Sequence, residues 1–244
     1  FCGPSGVGKT ELSKIFGELL VGHDNVIRLD MSEFSEAHSI SKFVGAPPGY
    51  VGYQDHHHIL EELRNKPYSV LLLDEIEKAH PSIIHLLFQM LEEGKVKDSN
   101  GMMVHLNHAI MIMTSNVGFH ESNIGFGELS ENNVLTRLKE EFSVPFINRI
   151  DNIIAFHSLT KEEITELIHR KLKQLQDKYQ DKKIMIEYGD DLVEEILQAS
   201  HYTDFGARRL DKIMKDEVEE QVIDAFLRDQ SQIKITNLKK TTPI

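Results

Sequence analysis

Eight residues near the start of the chain, Gly3-Pro4-Ser5-Gly6-Val7-Gly8-Lys9-Thr10, satisfy the pattern G-x-x-x-x-G-K-[ST]. Glycines at this spacing let successive backbone N–H groups curl around a phosphate chain. The lysine that follows reaches the β and γ phosphates, and the last hydroxyl holds Mg²⁺. Taken alone, the same residues are also compatible with a glycine-rich turn that binds nothing. A second candidate pair is Asp74-Glu75, which closes the apolar run Val70-Leu71-Leu72-Leu73. Beside a phosphate loop, the first acid of such a pair sits near Mg²⁺ and the second polarises an attacking water. Thr114-Ser115-Asn116 ends another apolar run and supplies a third polar cluster.

Positioning these groups requires a sheet whose strands end beside the phosphate loop. Residues 11–21 place apolar side chains at 12, 15, 16, 19 and 20, the helical period, before Gly22 as a stop. That helix points the positive end of its dipole at the phosphates. Residues 26–30 and 109–113 read as strands, and 68–75 as a strand buried on both faces of a parallel sheet. The methionines of 109–113 suit core filling better than a cofactor site. Residues 31–43 read as a polar helix, 59–66 as a short helix ended by Pro67, and 81–93 as an amphipathic helix with proline first and Gly94 after it. Residues 95–104 predict a hairpin turning at Asn100-Gly101. A helix over 134–142 and an apolar strand over 153–156 follow. The loop Gly45-Ala46-Pro47-Pro48-Gly49-Tyr50-Val51-Gly52-Tyr53 carries large apolar side chains, which either contact a partner or fold back on the chain's own core.

Near Ser158 the pattern changes. Thr160 to Glu163 is a capping box opening a helix to about residue 176. A strand over 183–188, helices over 190–199 and 208–228, and a strand over 233–236 follow. The expected architecture is α/β, a parallel sheet flanked by helices over residues 1–158, then a smaller mixed α+β subdomain over 159–244. Only Phe1-Cys2 stand where a buried strand normally precedes a phosphate loop, so the base-binding residues are expected upstream of Phe1.

The balance of 27 basic and 39 acidic residues gives a net charge of −12, which disfavours a nucleic-acid backbone as partner. The single cysteine, Cys2, excludes an internal disulfide, suits a reducing cytosol and reads as a small buried strand residue. The sequence carries no apolar run of membrane length and no signal peptide.

Together, Gly-Ala-Pro-Pro-Gly-Tyr-Val-Gly-Tyr, Leu-Leu-Leu-Asp-Glu-Ile-Glu-Lys-Ala-His-Pro, Met-Thr-Ser-Asn and Phe-Ile-Asn-Arg-Ile-Asp resemble the AAA+ ATPases of the Clp/heat-shock-100 group, in particular their second ATPase module. The resemblance covers nearly the whole chain. It implies a ring, usually a hexamer, that binds ATP and Mg²⁺, hydrolyses ATP at subunit interfaces and threads protein through a central pore. It makes Lys9 and Thr10 the phosphate and magnesium residues, Asp74 the magnesium-side acid and Glu75 the acid that activates water. Asn116 resembles the first sensor. Arg149 resembles the arginine finger that serves the neighbouring subunit's nucleotide, and Arg208 the second sensor. Read without the family, either arginine is a surface salt bridge. Tyr50 and Val51 resemble the pore loop that grips substrate. Ile124-Gly125-Phe126 resembles the tripeptide by which protease-coupled members dock on a ClpP-type peptidase, and its plain alternative is incidental loop packing.

This sequence departs from the family pattern at three places. His56-His57-His58 replaces a glycine pair, and reads as a solvated run rather than a metal site. Ser143-Val144-Pro145 precedes the finger segment in place of Arg-Pro-Glu, and Arg209 stands for a proline after the second sensor. The expectation is a cytoplasmic, ring-forming protein unfoldase feeding a ClpP-like peptidase. A ClpB-like disaggregase, a nucleotide-gated scaffold with little turnover, and a DNA-acting motor, disfavoured by the acidity, are the rivals.

Overall fold

The computed structural model describes residues 1–46, 58–118, 131–182, 184–228 and 230–238. The chain divides into two compact units, one of Phe1–Gly3 with Gly8–Phe156, the other of Pro4–Val7 with His157–Ile244.

The first unit is built on a parallel sheet of β1 (Val26–Asp30), β2 (Val70–Asp74) and β5 (Ile110–Met113), with β2 in the middle. Every residue of β2 is buried, as a continuous apolar run between two neighbours and two flanking layers requires. Cys2, also buried, extends the sheet by single parallel bridges to Ser115 and to Ala155. The strand expected over 153–156 is therefore reduced to one bridge.

Helix α1 (Lys9–Val21) begins after Gly8, whose φ of 94° is open to glycine at little cost, and stops at Gly22. It lies against the sheet through its small residues. A Cβ on Gly17 would come within 3.2 Å of Val26 and Val70, so the approach depends on glycine there. Its apolar stripe consequently faces away from the sheet, with Leu19 81% exposed and Leu12, Ile15, Phe16 and Leu20 about half exposed. Leu12 and Phe16 help line a largely apolar cavity of about 800 Å³ beside β5.

The polar helix expected over 31–43 is not continuous. Asp30 Oδ1 accepts from both the N–H (3.0 Å) and the hydroxyl (2.6 Å) of Ser32, which holds the chain in a local turn. Two 3₁₀ turns, Met31–Phe34 and Ala37–Ser39, precede the short α2 (Ile40–Val44). Helix α3 (Ile59–Asn65) is capped by His58, whose Nδ1 accepts the Glu61 N–H at 3.2 Å. His58 is buried, so the solvated reading of the histidine run fails for this residue; His56 and His57 lie outside the described residues. Helix α4 (Pro81–Glu93) has the expected bounds, with Gly94 as its left-handed stop. Strands β3 (Lys95–Lys97) and β4 (Met103–His105) form the antiparallel hairpin, its turn tied by Asp98 Oδ1 accepting from the N–H groups of Asn100 and Met102, both at 2.9 Å. Helices α5 (Glu131–Glu141) and α6 (Val144–Ile147) complete the unit.

In the second unit α7 (Lys161–Gln180) opens with the capping box. The Glu163 N–H donates to Thr160 Oγ1 at 3.2 Å, and Glu163 Oε2 accepts the Thr160 N–H at 2.8 Å. Strands β6 (Met185–Tyr188) and β7 (Gln232–Ile235) pair in parallel, with helices α8 (Asp190–Ser200), α9 (Tyr202–Phe205), α10 (Arg208–Ile213) and α11 (Glu220–Leu227) between them. The single helix expected over 208–228 is interrupted by a π-helical segment, Met214–Glu219. Ile164, Ile168, Leu192, Ile196, Leu210 and Val218 form a fully buried core. Thr160→Ala should remove the bond that Oγ1 accepts, leaving the backbone N–H on Glu163, and cost about 1 kcal/mol, read as a lower urea midpoint for the helical signal; an unshifted midpoint would show that the Thr160 hydroxyl contributes nothing to stability.

The expected class, a parallel α/β unit with a smaller mixed unit after it, is what the fold displays. No helix among the described residues is long and apolar enough to cross a membrane.

Candidate functional site

The C-terminal ends of β2 and β5 and the start of α1 converge, and they carry most of the polar groups singled out from the sequence. Lys9 opens α1 and is buried; its Nζ donates to the carbonyl of Gly3 at 2.7 Å and to Asn116 Oδ1 at 2.8 Å. The phosphate-loop lysine and the polar group after β5 are thus direct neighbours. Burial holds the Lys9 ammonium below its usual range, opposed first among the charges by the Glu77 carboxylate, with Asp74 and Glu75 adding to it. Gly3 supplies its carbonyl from a position where a Cβ would meet Phe156 at 2.7 Å.

Asp74, the last residue of β2, is the most heavily bonded acid of the cluster. Its Oδ1 accepts from Thr10 Oγ1 at 2.7 Å and from Thr114 Oγ1 at 2.5 Å, and its Oδ2 accepts from Arg28 Nη2 at 2.8 Å. Burial alone would raise its pKa, but the hydrogen bonds from Thr114, Thr10 and Arg28 and the charge of Arg28 outweigh it and hold the carboxyl below the usual carboxylate range. A hydroxyl and an ionised carboxylate meeting at 2.7 Å are hard oxygen donors, few in number, which is the protein share suited to a small divalent cation that also takes phosphate and water oxygens.

Glu75 has φ 55° and ψ 55°, a left-handed conformation uncommon for a residue with a side chain. Its N–H donates to Thr114 Oγ1 at 3.0 Å, and the next N–H, of Ile76, donates to the Thr114 carbonyl at 3.0 Å. The turn out of β2 is therefore pinned to the end of β5, and these bonds hold a backbone strain of order 1 kcal/mol at Glu75.

Three contributors were not picked out from the sequence in these roles. Thr114 was read only as part of a polar strand end, yet it braces both Asp74 and Glu75. Glu77 Oε1 accepts the backbone N–H of Asn116 at 3.0 Å, while its buried Oε2 has no partner among the described residues. Arg28 sits inside an apolar strand, where strand register could have found it. Asp30 pairs with Asp74 and Arg28 with Leu72, so Arg28 and Asp74 are diagonal neighbours within reach of a long side chain.

Arg149 follows α6 and shares none of the bonds given above; it forms a two-point ion pair with Glu92 at the end of α4, in which Nη2 donates to Oε1 at 2.5 Å and Nε to Oε2. Arg208 opens α10 in the second unit. Pro4, Ser5, Gly6 and Val7 group with that unit, in which the Ala207 N–H donates to the Gly6 carbonyl at 2.9 Å. Tyr50 and Val51, and Ile124, Gly125 and Phe126, lie outside the described residues. Among the described residues no group of three or more His, Cys, Asp or Glu side chains is arranged to hold a metal by itself.

Comparison with known proteins agrees with the motifs. Residues 1–153 match the model of the AAA domain (Cdc48 subfamily), and residues 159–239 that of the C-terminal, D2-small domain, of ClpB protein. The chain is 41% identical over 238 residues to the ATP-dependent Clp protease ATP-binding subunit ClpE of Streptococcus pneumoniae, which covers 95% of the chain and 32% of that relative. It is 42% identical over 241 residues to the negative regulator of genetic competence ClpC/MecB of Bacillus subtilis, covering 93% and 30%. It is 41% identical over 246 residues to the ATP-dependent Clp protease ATP-binding subunit ClpC of Staphylococcus aureus, covering 96% and 30%. The chain spans about a third of the length of these curated relatives.

Proposed function

We propose, from the premise that the chain belongs to the family of the AAA domain (Cdc48 subfamily), that it is an ATP-hydrolysing module of a cytoplasmic protein unfoldase. In this reading it works as a homo-oligomeric ring, a hexamer, and threads protein substrates into a ClpP-type peptidase. The observation that carries the ATPase part is the convergence of Lys9, Thr10, Asp74, Glu75 and Asn116 through Thr114 and the Gly3 carbonyl. Relatives named as ATP-binding subunits of a Clp protease support the peptidase part.

Bound Mg²⁺ and ATP would supply an electrophilic phosphorus whose charge is partly neutralised. Lys9 would exchange its contacts with Gly3 and Asn116 for the phosphates, the backbone N–H groups of the loop other than Pro4 cradling the chain. Thr10 and Asp74 would hold the cation, Thr10 directly and Asp74 at its side. Glu75, aimed by its left-handed backbone, would accept a proton from the attacking water. Asn116, released by Lys9, would orient that water against the γ phosphate. Arg149 would neutralise developing charge at the neighbouring subunit's site, and Arg208 would report nucleotide state to the second unit.

The match of residues 159–239 to a ClpB domain favours one rival specifically, a disaggregase without a peptidase. Tyr50 and Val51 would grip substrate in either case, because an aromatic ring packs on almost any side chain. The two readings part at Ile124-Gly125-Phe126. Making Ile124 and Phe126 polar in the full-length protein should abolish pull-down of ClpP while leaving ATP turnover within about twofold, as expected for two apolar anchors at a partner's pocket. Pull-down that survives the change removes the docking assignment.

A further inference from the structure

Arg28 is bound to the one acid that the proposed cation site needs most. It stands in the middle of β1, and its guanidinium reaches across the register to Asp74 Oδ2 at 2.8 Å, opposite the oxygen that takes Thr10 and Thr114. The two partners differ sharply in solvation: the Asp74 side chain is 9% exposed and that of Arg28 52%. A desolvated carboxylate demands neutralisation, whereas a half-solvated guanidinium loses little by letting go. A divalent cation brought up to Thr10 and Asp74 competes for the same negative charge and repels the arginine already there.

We propose that Arg28 is a positioning residue that holds Asp74 in place without the cation and opposes the cation's arrival, so that it sets the Mg²⁺ concentration at which the nucleotide site fills. This rests on the reading of Thr10 and Asp74 as the magnesium residues. Because coupling between two ligands of one group is reciprocal, a bound cation loosens the Arg28–Asp74 pair by the factor by which Arg28 weakens the cation. The arginine keeps the acid oriented, and it keeps the site from retaining metal without nucleotide. A merely structural arginine would do neither in a metal-dependent manner.

The test is an equilibrium one and needs no turnover. Binding of N-methylanthraniloyl-ADP to the full-length protein is followed while MgCl₂ is titrated, for the parent, Arg28→Gln, Arg28→Lys and Asp74→Asn. Arg28→Gln keeps a hydrogen-bond donor and loses the charge, and should lower the Mg²⁺ midpoint about tenfold. Arg28→Lys should stay within about twofold of the parent, and Asp74→Asn should raise the midpoint at least about tenfold. A midpoint unchanged or raised in Arg28→Gln, with Asp74→Asn shifted as expected, overturns the proposal and leaves the magnesium assignment standing. An unshifted Asp74→Asn removes that assignment and the proposal with it. Should Arg28→Gln fail to fold by circular dichroism, Arg28→Met, which keeps the aliphatic stem on the strand, is judged by the same criterion.

Discussion

Glu75→Gln is expected to reduce steady-state phosphate release from the assembled ring by about 10²–10⁴-fold while nucleotide affinity stays within about threefold of the parent, the loss typical of a removed general base. The separation follows from what each part of Glu75 does. Its backbone N–H, tied to Thr114 Oγ1, and the Ile76 N–H, tied to the Thr114 carbonyl, survive the change. Glutamine has the same shape and pays a similar cost for φ 55°. In the proposed site the cation and phosphate contacts would lie with Asp74, Thr10 and Lys9, so only the proton-accepting carboxylate would disappear. The measurement pairs phosphate release with nucleotide binding on the same preparation. Turnover within about tenfold of the parent would deny Glu75 the role of base. A parent without turnover would favour the nucleotide-gated scaffold instead.

Much of this arrangement was readable from the sequence wherever one strong physical demand acts on one segment. Val70-Leu71-Leu72-Leu73 has no polar residue to offer water, so it could only be an internal strand, and the acids after it had to emerge at the strand end. Helix α4 announced its bounds because Pro81 and Gly94 act through the backbone itself. Legibility failed where two weak demands compete. After Asp30 the helical pattern of residues 31–43 lost to the Asp30–Ser32 turn, a side-chain bond that offers the backbone an alternative partner. Over residues 208–228 the apolar spacing is continuous, and a π segment shifts register without leaving a mark on composition.

Helix α1 gives a subtler failure. Its apolar period was read correctly, but the face against the sheet is the one with Ser13 and Gly17, because close approach to Val26 and Val70 rewards small residues more than large ones. Periodicity locates an apolar face and does not say which face packs first. The supporting residues of the site were hidden for another reason. Arg28 and Glu77 are charges in segments where a charge is ordinarily a solvated surface group. Their meaning lies in pairs separated by tens of residues in the chain, Arg28 with Asp74 through the register of β1 and β2, and Glu77 with Asn116 through the turns that leave β2 and β5.

Arg149→Ala is expected to cost about 10³-fold in turnover although each subunit keeps its own phosphate loop, acids and sensor intact. In this chain Arg149 is held by Glu92 in a two-point pair whose side chains are 48% and 39% exposed. A pair so open to water contributes at most about 1 kcal/mol, too little to fix the guanidinium against a developing phosphoryl charge. The residues before it, Ser143-Val144-Pro145, supply the cap and the first two residues of α6, so the altered flank still builds an ordered support for the arginine. If the arginine serves the next subunit, the defect must be complementable. Arg149→Ala subunits retain Glu75 but receive no finger from their own kind, whereas Glu75→Gln subunits retain the finger and cannot use it at home. Rings mixed from the two inactive variants should regain turnover at those interfaces where a Glu75→Gln subunit offers Arg149 to an Arg149→Ala neighbour, with a maximum near equal proportions. Recovery absent at every ratio, in mixtures shown by subunit exchange to form joint rings, would place the arginine's action within its own subunit and reduce the Glu92 pair to a surface contact.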